Sequence, residues 1–279
     1  MFRTLQHLLF ASTVLLVSAC SNLVIQDDPG REPPKGPFQA PYLSVTAEQA
    51  ITLETAYRHQ RRAVLEALDG RSPVGFKAGL TSVAGQQRFN LREPVAGVLW
   101  PDSALRFDGD KAVIKRADFR KPMLEMELAF RVNTLIPEPL ADVSEVQYVV
   151  AEVMPALEIP DLGFDSTVGM TGEAIVAANA GARAFLLGPA LDPESVDINA
   201  VRARLRLDGS TLQRGDATQV MGNQWKALFW LINTLVEQGW VIQPGQVLLT
   251  GAMGNMIPLE TGVYEAHFNG LGYLRLQVE

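Results

Sequence analysis

LEMELAF, residues Leu124 to Phe130, alternates large apolar side chains with two glutamates. Successive side chains of a strand point to opposite faces, so residues two apart share a face. Leu124, Met126, Leu128 and Phe130 then pack on one side, and Glu125 and Glu127 stand together on the other. A second run, PALEIPD, sets Glu158 between Leu157 and Ile159, with Asp161 three residues on. Carboxylates gathered on strand faces repel one another, and burying them unpaired is costly. Two readings are open. The Glu pair faces water from a half-exposed strand, or a hard divalent cation, Mg2+ or Mn2+, collects the oxygens and keeps waters for a substrate to displace. Zinc suits the pattern poorly, because no histidine lies near these runs and the sole cysteine, Cys20, is remote from them.

Outward from LEMELAF the chain repeats short apolar runs broken by Gly, Pro and Asp. VGFKAGL, AGVLW, AVIKRA, VMPALEI, RAFLLG, RARLRLDG, WVIQPGQVLLTG and YLRLQV read as strands. Asp208-Gly209 is a hairpin-turn signal. Helices are expected over 144–153, 174–179 and 224–237. Another is expected from Thr46, where Gln49 completes a capping-box pattern, to the stop at Gly70. Its buried positions are expected to be Ile51, Leu53, Tyr57, Val64, Leu65 and Leu68. Strands dominate without regular βα alternation, so the fold class is α+β, a bent mixed sheet with flanking helices. One domain over 43–279 suffices for that pattern.

The N-terminus has a different character. Arg3 precedes an apolar run, LLFASTVLLV, which is too short for a comfortable membrane span and suits a signal-peptide core. It ends in VSAC, so 1–19 reads as a lipoprotein signal peptide and Cys20 as the lipidated residue; the alternative is a plain secretory signal. Ser21 at the next position favours the outer membrane in a Gram-negative cell. The proline- and charge-rich stretch that follows makes 20–42 a tether to the body. With a net charge of −7, the chain is a poor match for nucleic acid, and membrane attachment would come through the acyl anchor alone.

GFKAGLTS, Gly75 to Ser82, supplies the opposite charge to the glutamates. Lys77 sits among glycines that permit close backbone approach, and Thr81 and Ser82 add hydroxyls. Such a segment suits an anionic oxygen, as in a 2-oxo acid; a solvated lysine on a short strand is the alternative. There is no Walker A spacing and no G-x-S-x-G elbow. His59 is expected on a helix surface and His267 in a structural place.

Taken in order, GFKAGLTS, EPVAGVL, KPMLEMELAF, MPALEIPD, ANAGARAFLLG, VMGNQWKALFWLINTL, PGQVLLTGAMGNMIPLETG and FNGLGYLRLQV resemble the 2-keto-4-pentenoate hydratase group of the fumarylacetoacetate hydrolase family. The resemblance implies a roll-like mixed β-sheet fold and a Mg2+ or Mn2+ held by Glu125, Glu127 and Glu158, with Lys77 near the 2-oxo group of a small-molecule 2-oxo acid. It implies a hydro-lyase passing through an enolate, and it leaves a homo-oligomer open. Departures are visible too. Hydratases of this group usually carry an acidic residue where Val95 and Ala96 stand, and Asp and Ser where Ala178 and Gly181 stand; Ala252 replaces a serine. A non-catalytic, metal-dependent 2-oxo acid binding lipoprotein of the cell envelope is the alternative function.

Overall fold

The structure, a computed structural model, describes residues 41–279, so Cys20, the 1–19 leader and nearly all of the tether lie outside the described residues. The expected capping pair is present, with Thr46 N donating to Gln49 Oε1 at 2.8 Å. It opens only one turn of 3-10 helix, Ala47–Ala50. The chain then breaks, and Thr52 caps a new helix, α1 (Leu53–Leu68), its hydroxyl accepting from Thr55 N. Asp69 and Gly70, both at positive φ, end it. The restart resets the helical phase. Ala56, Gln60, Val64 and Leu68 form the buried stripe at four-residue spacing. Val64 and Leu68 are buried as expected, whereas Ile51 and Leu65 face solvent, 68% and 42% exposed.

The remaining elements follow in order: β1 (Gly75–Gly79), α2 (Val83–Arg88), β2 (Val95–Leu99), β3 (Ala112–Ile114) and β4 (Met123–Val132). Next come α3 (Val146–Val149), β5 (Val150–Ile159), α4 (Gly172–Ala177), β6 (Ala184–Leu187), β7 (Arg202–Leu207) and β8 (Ser210–Asp216). The last are α5 (Gln224–Glu237), β9 (Val247–Leu249), β10 (Ile257–Pro258), β11 (Gly262–Phe268) and β12 (Gly272–Val278). Every expected strand run is represented, and α2, β10 and β11 are additions. The helix expected over 144–153 is corrected. Only Val146–Val149 is α-helical, and from Val150 the chain pairs with β4 (Val132 opposite Val150, Arg131 opposite Glu152). A β-branched run beside an available strand edge takes the ladder over the helix.

One sheet runs β2-β1-β9-β4-β5-β6 with β10 added on β4, and the other runs β3-β12-β11-β7-β8. Pairing is antiparallel except for β1 with β9 and β3 with β12, which makes the sheets mixed. Asp208 and Gly209, at φ 47 and 81, turn β7 into β8 as the DG signal requires. Leu124, Met126, Leu128 and Phe130 are all fully buried, in one core with the inner stripe of α5 and the inward residues of the second sheet. Each such side chain contributes about 1.5–3 kcal/mol of burial. Their alternation therefore fixes which face of β4 is core, and the opposite face is left to the glutamates.

Candidate metal centre

Register brings the carboxylates together. In the β4–β5 ladder Glu125 lies directly opposite Glu158, and Glu127 opposite Ala156. The three glutamates each place a carboxylate oxygen within 4.8 Å of the others. Glu127 and Glu158 are fully buried and Glu125 is half-buried, so the solvent-facing reading of this strand does not hold. Lys77, on β1, is also buried and sets its Nζ 2.7 Å from Glu158 Oε1.

The count of charges is unbalanced: three carboxylates face one ammonium. Burial, and then the charge of Glu158, push Glu125 up to about 8. Burial, Glu158 and Glu125 hold Glu127 well above the usual carboxylate range. Burial acts to lower Lys77, but the three glutamates outweigh it and leave the lysine above its ordinary value. Glu127 Oε2 accepts from Gly251 N at 2.8 Å. Glu127 Oε1 and Glu158 Oε2 are buried and have no hydrogen-bond partner among the described residues. Leaving such an atom unsatisfied costs about 1–3 kcal/mol. Clustered, unsatisfied, buried carboxylate oxygens are the donor set a hard divalent cation takes, so the residues fit Mg2+ or Mn2+.

Backbone geometry closes around this cluster. Gly251 sits at φ 111, and a Cβ there would stand 2.5 Å from Thr81 Oγ1, so glycine alone lets this N–H reach Glu127. Thr81 is thereby placed beside the centre, buried against Gly251. Ser82 is not brought into it: it is exposed and caps α2, its hydroxyl accepting from Gly85 N. Asp161, three residues beyond Glu158, is also kept apart, its carboxylate filled by backbone N–H groups and the Tyr42 hydroxyl. His267 is exposed on β11 of the other sheet, and His59 is half-buried on α1.

On the other side of Lys77 the wall is apolar. A Cβ on Gly97, the register partner of Lys77, would lie 3.0 Å from Ala180 Cβ and 3.3 Å from Lys77 Cγ. Val95, Ala178 and Ala180 belong to one buried apolar cluster with Leu91 and Phe164. Asn179, Ala180 and Gly181 run consecutively at φ 59, 51 and 66, a left-handed stretch that costs energy at Ala180. Asn179 holds it in place, its side chain accepting from Val98 N at 2.7 Å and donating to Val98 O at 2.9 Å. Gln60 of α1 ties the same region, donating to Ala96 O and Val176 O. Sequence reasoning passed over Asn179 and Gln60. The one local signal was the Asn and Gly flanking Ala180, two residue types that tolerate positive φ.

A family model for the fumarylacetoacetate (FAA) hydrolase C-terminal region matches residues 56–279. A 2-keto-4-pentenoate hydratase of Paraburkholderia xenovorans is 29% identical over 255 residues, covering 88% of this chain and 89% of that protein. One from Burkholderia vietnamiensis is 34% identical over 221 residues, covering 76% and 80%. Among solved structures, 4-oxalocrotonate decarboxylase from Pseudomonas putida G7, complexed with magnesium and adipate, superposes with a TM-score of 0.75 at 23% identity, covering 85% of this chain and 91% of that one. The expected α+β roll is therefore the observed fold, and the chain belongs to the fumarylacetoacetate hydrolase C-terminal family, among relatives of 2-keto-4-pentenoate hydratase.

Proposed function

We propose that the protein is a Mg2+- or Mn2+-dependent hydratase or related lyase acting on a 2-oxo acid of the 2-hydroxydienoate type. The observation that carries this reading is the triad of half-buried Glu125 and buried Glu127 and Glu158, with carboxylate oxygens within 4.8 Å of one another. Relatives named as hydratases of such acids, and the magnesium in the decarboxylase structure, support it. Glu125, Glu127 and Glu158 would hold the cation, which when bound supplies Lewis-acid stabilisation of negative charge developing on a 2-oxo oxygen. Lys77 stays protonated through its ion pair with Glu158 and presents N–H donors to the same oxygen. Gly251, packed against Thr81, fixes Glu127 through its N–H, and the apolar cluster that contains Ala180 keeps water from the far side of Lys77.

A metal-dependent 2-oxo acid binding role without turnover is the second reading. It is favoured by Val95, Ala178 and Gly181, buried residues without titratable atoms where hydratases of this group usually carry acidic and hydroxyl groups. Incubation of the protein with Mn2+ and a panel of 2-hydroxydienoates separates the two. The enzyme consumes a substrate, with loss of ultraviolet absorbance that EDTA abolishes. Ligand-dependent stabilisation without consumption across the panel moves the assignment to the binding role. We also propose a cell-envelope location, with Cys20 lipidated, 20–42 as tether and 43–279 as the working domain.

A further inference from the structure

Asp161 ends the PALEIPD run, three residues beyond Glu158, and its carboxylate has four donors. Oδ1 accepts from Lys121 N and Gly163 N, each at 2.8 Å. Oδ2 accepts from Arg120 N at 2.8 Å and from the Tyr42 hydroxyl at 2.5 Å. Arg120 and Lys121 lead into β4, and Asp161 follows the end of β5, so a single side chain ties together the ends of the two strands that carry all three glutamates. Met123 N donates to Pro160 O and Leu162 N to Lys121 O across the same junction. The backbone N–H of Asp161 donates to Gly181 O at 2.8 Å, which extends the tie to the left-handed turn beside Lys77.

Tyr42 completes this hub from far along the chain. The guanidinium carbons of Arg120 and Arg183 lie 4.2 and 4.4 Å from its ring centroid, within cation–π range. Val45, three residues on, is buried in the apolar cluster that contains Val95 and Ala180 and pairs with Asp165 and Thr167 through its backbone. Glu125 and Glu158 are direct cross-strand partners, and where both ionise, as metal ligation requires, their like charges push this end of the ladder apart. The hub sits where that repulsion has to be resisted.

We propose that Tyr42 and Asp161 are positioning residues that set the spacing of Glu125, Glu127 and Glu158, so that the last residue of the 20–42 stretch completes the metal centre without touching it. The proposal rests on reading those glutamates as metal ligands. The test is Mn2+ titration of the full chain, followed by the electron paramagnetic resonance of free Mn2+, alongside melting in EDTA. Tyr42→Phe keeps the ring and removes one of the four donors; Tyr42→Ala removes both, and Tyr273→Phe on an exposed strand serves as control. Mn2+ affinity is expected to fall about tenfold in Tyr42→Ala, in the range seen when supporting partners of ligands are lost. Tyr42→Phe is expected to retain part of that affinity, and the control all of it. A lower melting temperature in EDTA with unchanged Mn2+ affinity in both Tyr42 variants overturns the proposal alone, because it makes Tyr42 an ordinary packing residue. Failure of the wild-type protein to bind Mn2+ overturns the metal reading and this one with it.

Discussion

Glu127 has one oxygen satisfied by Gly251 N and one with no partner among the described residues, in a place where burial and two neighbouring carboxylates oppose ionisation. That state is a cost in the metal-free protein. Glu125→Gln and Glu127→Gln keep the shape and remove an ionisable carboxyl from the crowded site, so each should match or exceed the wild type in melting temperature in EDTA. Each should gain far less from excess Mn2+. Equal metal-induced shifts in all three proteins would remove the glutamates from the ligand set. The raised carboxyl groups also fix a pH dependence. With Glu125 near 8 when folded and close to 4.5 when unfolded, the folded state binds more protons between those limits. Stability from this group is therefore full below about 4.5 and is lost as pH rises through 8. In EDTA, its contribution should lower the melting temperature from pH 5.5 to 8.5, and Glu125→Gln should flatten that slope. With excess Mn2+ that slope should be offset, because proton and metal compete for the same oxygens, and the metal-induced gain should grow over the same interval. A gain that shrinks with rising pH would contradict carboxylate ligation.

Elements differ in how openly the chain declares them. The alternation of β4 was legible because one face is fully buried, and a one-residue slip would put Glu125 and Glu127 into the core. That Glu158 would stand opposite Glu125 was not legible: the pairing register passes a shift between Arg131 and Val132 and depends on the route of the intervening chain. The helix expected over 144–153 failed for the same reason, since its second half finds a strand edge that no local pattern announces. The first helix was legible in existence but not in phase. Thr46 and Gln49 form their capping pair on a single 3-10 turn, and Thr52 starts α1 proper. The two threonines should consequently differ. Thr52→Ala removes the cap of a 16-residue helix whose stripe packs against α4 and hydrogen-bonds β2 through Gln60, at a cost of about 1 kcal/mol. Thr46→Ala should cost distinctly less, as read by urea midpoints at unchanged m-value. A larger loss at Thr46 would mean the 3-10 turn, and not the α1 cap, anchors this end.

At the scale of the whole molecule, the proposed envelope location depends on one residue. Among the described residues no helix is long and apolar enough to cross a membrane. The net charge of −7 gives the protein no general attraction to anionic lipid. Attachment as proposed therefore comes from acyl chains on Cys20, each buried methylene adding about 0.8 kcal/mol, with a second chain needed for stable anchoring. Hydrophobic attachment of this kind is insensitive to ionic strength, whereas attachment by surface charge is screened by salt. The wild-type protein should accordingly stay with membranes through a high-salt wash and enter the detergent phase on phase separation. Cys20→Ser should either be released into the soluble fraction or persist as an uncleaved precursor, and intact mass tells these apart, because the precursor keeps its first 19 residues. In both outcomes the acyl mass is gone and the metal-induced melting shift of the folded body is unchanged, since Cys20 precedes the Tyr42 hub by the length of the tether. Release of the wild type by salt, or a processed mass and detergent partitioning that Cys20→Ser leaves as they were, would refute the anchor and leave the glutamate centre untouched.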